Sequence, residues 1–177
     1  MTPTLCATMA EYNRWMNARL YEATAKLPEG RIHEDQGAFF GSLFNTLNHI
    51  AVADLIWLHR FAQLPGLSQV SVMMEGLPRP TTLREPVATT LSELTELRTK
   101  VDSIICRLAT EATDDLFAEI LRYSNTAGQS QAKKFGLVLQ HFFNHQTHHR
   151  GQATTLLFQA GVDIGVTDLI ALIPSEA

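Results

Sequence analysis

Cysteine is nearly absent from this 177-residue chain. Its two copies, Cys6 and Cys106, stand far apart and outside any CxxC pair, which excludes a disulfide framework and a thiolate metal site. A basic excess is missing as well: 14 Lys and Arg against 18 Asp and Glu leave a net charge of −4. General nucleic-acid binding, which needs a cationic footprint, is therefore not expected. No apolar run approaches the roughly 18–20 residues that span a bilayer. The opening stretch, MTPTLCATMAEYNRW, has no basic segment followed by an apolar one, as a secretory leader would. A soluble protein with a cytoplasmic address, and with neither membrane nor nucleic acid among its partners, is the expectation. Rossmann and P-loop glycine patterns are also missing, which removes the simplest nucleotide-binding readings. The remaining composition, 45% hydrophobic and 18% charged, describes one globular domain over residues 1–177.

Histidine, by contrast, is concentrated. Four of the seven fall in FGLVLQHFFNHQTHHRGQATTLLFQA, Phe135 to Ala160, which reads as one long helix. At about 100° per residue, His145 and His149 lie about 40° apart, one turn from each other. Val138, Phe142, Ala153, Leu156 and Ala160 share their face, so the pair points inward. Two imidazoles at i and i+4 could ligate one metal ion from adjacent turns. The competing reading is a pair of hydrogen-bonded core histidines, held neutral because two charges there would repel. His141 and His148 fall toward the edge of the face and read as supporting or surface residues. Arg150 is turned well away from the pair, where a salt bridge is expected.

Three more long helices are expected. Leu5, Met9, Tyr12, Met16, Leu20, Ala23 and Leu27 recur at steps of four and three, an amphipathic helix over about Thr4 to Leu27. Pro28, Glu29 and Gly30 end it, and a polar loop, Arg31 to Ala38, carries a solvated His33. A second helix, about Phe39 to Leu64, has a stripe of Leu43, Leu47, Ile50, Trp57, Leu58 and Phe61. His49 lies off the centre of that stripe, beside Val52, Ala53 and Ile56, and is an ambiguous third ligand; His59 looks like a surface residue. Asp54 falls inside the stripe and must be paired if buried. Leu67 to Arg84 reads as a long surface connection. The third helix runs from near Pro86 to about Leu108, with Glu93, Glu96, Arg98 and Lys100 on a solvated face. Thr113 to Ser130 suits an irregular excursion or short hairpin, and Thr167 an N-cap for a short terminal helix. The fold class is all-α: a four-helix bundle with that excursion before the last long helix and a short C-terminal helix.

Two histidine chemistries are excluded by neighbours. Gln146 stands where an HExxH metalloprotease places its glutamate base. No histidine has a glutamate three positions before it, as di-iron bundles require. The segments YNRWMNARLY, SLFNTLNHIAVADLIWLHRF, HFFNHQTHHRGQATTLL and GVDIGVTDLIALIP, in that order, resemble the DinB-like family of damage-inducible four-helix-bundle proteins over most of the chain. In that family one histidine of the second helix and an HxxxH pair of the last long helix bind a single divalent metal. The resemblance therefore implies His49, His145 and His149 as ligands, to zinc or nickel first and iron as a further option. Three neutral imidazoles leave a position open, as in catalytic sites. The resemblance further implies a metal-dependent enzyme of the thiol-dependent transferase type, acting on a small-molecule substrate through a metal-activated thiol or water. A low-molecular-weight thiol would be its partner, and a homodimer its assembly. The alternative is a non-catalytic metal-binding stress-response protein. No acid or base beyond Tyr12 or Asp54 offers itself, which favours thiol activation over base-assisted hydrolysis. Imidazoles with the usual pKa of about 6.5 would release a metal below about pH 6.

Overall fold

A computed structural model describes residues 1–176 and places four long helices in a bundle. Helix α1, Pro3–Thr24, starts where the Thr2 hydroxyl accepts from the Leu5 amide and Pro3 fills a first-turn position, where a missing N–H leaves nothing unpaired. It stops before Leu27. Pro28 does not end α1 but leads into a second, short helix, α2, Glu29–His33, which overlaps the start of the expected loop. Ile32 is fully buried and anchors it, while His33 stays exposed against the Phe44 ring. Helix α3, Leu43–Phe61, is capped by the Ser42 hydroxyl. The expected long connection contains α4, Ser68–Met73. Its Gln69 and Val70 amides donate to the Glu111 carboxylate at 3.0 and 3.1 Å, an anion placed where a helix start favours one.

Helix α5, Leu91–Glu111, begins later than Pro86 because Thr90 and Glu93 cap each other's backbone reciprocally, satisfying two amides that a helix start leaves unpaired. Thr90→Ala should cost about 1 kcal/mol and lower the melting temperature by about 2–4 °C. An unchanged thermal melt would show that the cap contributes nothing. Helix α6, Asp114–Ala118, precedes the hairpin of β1, Ile120–Ser124, and β2, Ser130–Lys134, whose register sets Ile120 opposite Lys134. Helix α7, Phe135–Gln159, follows directly. A 3-10 turn, Leu169–Leu172, stands in place of the expected terminal helix. Thr167 does not cap it, since its carbonyl accepts from the Tyr12 hydroxyl at 2.7 Å and ties the tail to α1.

Helix α1 packs on α5 and α7, and α3 packs on the same two, the arrangement of a four-helix bundle. The apolar core has two parts, one around Leu55, Phe61, Ile105, Phe135 and Phe142, the other around Leu20, Leu43, Leu47, Leu94 and Leu157. Along α1, α3 and α7 the two parts are separated by buried polar residues: Asn13 and Asn17, Asp54, then Gln146 and Arg150. Arg98 and Asp102 of α5 join them.

Two arginines depart from expectation there. Arg98 is not on a solvated face but only 2% exposed, with Nη1 2.5 Å from Asp54 Oδ2 and Nη2 2.9 Å from Asp102 Oδ1. It falls one turn from Leu94 and Val101, on the buried side, and supplies the partner that Asp54 requires. Burial works against its charge, but Asp102 and Asp54 outweigh burial and hold it protonated. Burial likewise pushes Asp54 up to about 6 against the pull of Arg98, which leaves the pair ionised at neutral pH. Among the described residues Arg150 makes no salt bridge: it donates to Asn13, Gln146 and Thr147 and lies over the Tyr12 ring. Asn13 and Asn17 in turn donate to Asp102 at 3.1 and 2.9 Å.

Candidate metal centre

The pairing of α3 with α7 brings His49 to the histidines one helical turn apart on α7. His49 Nε2 lies 3.3 Å from Nε2 of His145 and 3.3 Å from Nε2 of His149. All three imidazoles thus offer nitrogens within 4.8 Å of one another. Two of the three rings are fixed from behind. His49 Nδ1 donates to the Leu83 carbonyl at 3.0 Å, and His149 Nδ1 donates to Gln152 Oε1 at 2.8 Å. Both partners are oxygens that only accept, so Nδ1 carries the proton and, in a neutral ring, Nε2 presents its lone pair.

Burial keeps the rings neutral. It pushes His145 down to about 3, with the neighbouring His149 and His49 adding to the effect. It also lowers His49 and His149, although the Leu83 and Gln152 hydrogen bonds oppose the shift. His49 is buried and the other two are half-buried, so the cluster opens to one side. Phe40 closes another side, stacked on His49 at 4.0 Å between centroids and edge-on to His149 at 5.5 Å.

Converging lone pairs repel unless a cation sits between them. A tetrahedral ion bound at about 2.0–2.1 Å per nitrogen needs neighbouring nitrogens about 3.3–3.4 Å apart. The 3.3 Å spacings from His49 match that edge and the third spacing lies within 4.8 Å, so the donor set fits such an ion in chemistry and along the two edges that meet at His49. None of the three donors is a carboxylate, so the charge of a divalent ion would not be reduced.

The other sequence candidates lie around the cluster or away from it. His141 is exposed against Trp57, with its ring 6.0 Å from that of His145. His148 is exposed beside Gln152, and His59 reaches the Pro78 carbonyl at 2.9 Å. The acid/base candidates are engaged elsewhere, Tyr12 with Thr167 and Asp54 with Arg98. Sequence reasoning missed Phe40, the Leu83 carbonyl and Gln152. Gln152 had a signal, three residues after His149 on a helix. Phe40, expected at the start of the second helix, precedes α3, which begins only at Leu43, and Leu83 likewise lies in a connecting segment, where periodicity is silent.

The chain is thus an all-α bundle with a three-imidazole cluster, shared between two helices, that could hold a metal ion. The family model described as DinB family matches residues 1–176, and the chain belongs to that family. It is 26% identical over 158 residues to Protein DinB of Bacillus subtilis (strain 168), covering 89% of this chain and 87% of the relative. A crystal structure of a DinB-like protein from Bacillus cereus ATCC 10987 matches with a TM-score of 0.51 at 22% identity, covering 89% of each chain. That likeness establishes the shared fold. Among the described residues no helix is long and apolar enough to cross a membrane.

Proposed function

We propose that the protein binds one divalent transition-metal ion through Nε2 of His49, His145 and His149 and uses it to act on a small molecule. The carrying observation is the 3.3 Å spacing of His49 Nε2 from each α7 imidazole, the edge that a tetrahedral ion requires. Imidazole-only ligation suits zinc, nickel or ferrous iron. When bound, such an ion supplies Lewis acidity and lowers the pKa of a thiol or water at its open position. The chain's own residues would do the rest. Leu83 and Gln152 hold the ring tautomers, and Phe40 keeps water from one side of the cluster. Among the described residues no carboxylate joins the three imidazoles in their cluster to take a proton from water, which favours a thiol over water as the activated group. That thiol would belong to the substrate, because burial pushes Cys6 up to about 12 and also raises Cys106.

Metal analysis of protein reconstituted with zinc or nickel tests the reading. About one ion per chain is expected, lost in His49→Ala, His145→Ala and His149→Ala and kept in His148→Ala. Gln152→Ala should weaken binding by about 10–100-fold, the usual effect of removing a partner that orients a ligand. Absence of metal in the unaltered protein, or equal loss in the His148 variant, would sink the assignment.

A further inference from the structure

We infer that the centre takes a short molecule bearing a negatively charged group, and that Arg84 and Asn45 receive that group in a recess beside His49. This rests on the reading of His49, His145 and His149 as metal ligands. The recess, about 100 Å³, is lined by Phe40, Asn45, Asn48, Leu83 and Arg84. Two of its walls belong to the centre itself: the Phe40 ring stacks on His49, and the Leu83 carbonyl holds His49 Nδ1.

Arg84 is held without being neutralised. Its guanidinium lies 5.4 Å from the Phe39 ring centre and 5.3 Å from that of Phe40, and one Nη donates to the Phe39 carbonyl at 3.2 Å. Phe39 is 73% exposed, so a large ring stays in water as the platform for this cation. Among the described residues no carboxylate forms an ion pair with Arg84. Glu85, the next residue along the chain, is engaged by the Thr81 amide and hydroxyl. Within the recess the Asn48 side chain is taken up by Glu85 and Val87. Asn45 is exposed, and while its backbone N–H donates to the Ser42 hydroxyl, its side-chain amide makes no hydrogen bond among the described residues. An arginine fork pre-placed on two rings loses little freedom when an anion arrives. The space suits a carboxylate-sized group, so the ligand is bifunctional: a donor atom for the metal's open position at one end, an acid at the other.

The test uses protein loaded with cobalt(II), whose visible absorption reports both occupancy and entry of a new ligand. Two thiols of matched length serve as probes, 3-mercaptopropionate and neutral 3-mercapto-1-propanol; each enters as the thiolate and releases its proton to buffer. The acid should bind about five- to tenfold more tightly, the scale of one charge-assisted hydrogen bond at a partly solvated site. Added salt should shrink the preference. Arg84→Gln should abolish it while leaving cobalt content and alcohol affinity unchanged, and Arg84→Lys should keep part, since lysine retains the charge without the fork. Cobalt uptake with equal affinities for the two thiols, or a preference that survives in Arg84→Gln, overturns this inference alone. A protein that takes up no cobalt overturns the metal reading and this inference with it.

Discussion

Asp54→Ala should lower the melting temperature by about 6–20 °C, the thermal equivalent of about 3–5 kcal/mol for breaking a buried ion pair in a domain of this size. The size of the effect comes from what is left behind. Arg98 would keep its charge at 2% exposure with only Asp102 against it, and Asp102 already accepts from Asn13 and Asn17. Desolvation of that residual charge, not the lost contact, sets the penalty. Two companion variants separate the causes. Asp54→Asn keeps an acceptor for Arg98 Nη1 and should cost less than the alanine change. Replacing both partners by apolar residues, Asp54→Leu with Arg98→Met, removes the stranded charge and should come out far milder than Asp54→Ala, near neutral or even stabilising. A loss in Asp54→Ala within the roughly 0.5 kcal/mol usual for surface sites would refute the buried pair.

That pair also marks where the sequence stopped being readable. The four long helices were legible because apolar residues at steps of three and four identify the buried face whatever lies opposite. The same method assigns polar residues to water by type. It therefore put Arg98 on a solvated face and did not see Asn13, Asn17 and Asp102, although Asn13 and Asn17 sit between Ala10 and Leu20 on the buried side of α1. Asp54 was the exception, flagged because an acid inside an apolar stripe demands a partner. Helix starts were misplaced where a polar cap, such as Thr90 with Glu93, outweighed a proline a few positions earlier. Short helices escaped because one buried residue, Ile32 in α2 or Val70 in α4, has no period. Of the candidate centre, His145 and His149 were legible from their one-turn spacing alone. His49 was ambiguous on its own helix and needed the family resemblance, because its place beside the pair depends on how α3 docks on α7. Phe40, Leu83 and Arg84 lie outside the long helices altogether, so only the folded chain brings them to the imidazoles.

Chelation should leave the bundle helical and shift its melting temperature, and the shift should survive mild acid. The apolar core on four long helices is large enough to fold without an ion, unlike a zinc finger. Three imidazoles that converge only in the folded chain nevertheless favour that state by mass action. At a free metal concentration about 1,000 times Kd the gain is about 4 kcal/mol, or about 8–16 °C in melting temperature. The pH dependence follows from where protons compete. In the unfolded chain the imidazoles titrate at about 6.5, whereas burial holds His145 down near 3 and lowers His49 and His149 in the folded one. Between those values the unfolded chain binds more protons, so the metal-free protein loses stability as pH falls from 6.5. Metal competes with protons in the folded state alone, at the lowered values. The difference between metal-loaded and metal-free melts should therefore shrink less by about pH 5.5 than ordinary imidazoles, fading below about 6, would require. The buried acids contribute to both samples and cancel in that difference. Circular dichroism and thermal melts with zinc and with chelator at about pH 7.5 and about pH 5.5 measure both quantities. A difference that vanishes at the lower pH would mean that the imidazoles titrate as solvated groups. A chelated sample without helical signal would make the ion a structural staple, and the catalytic reading would then give way to that of a metal-binding protein.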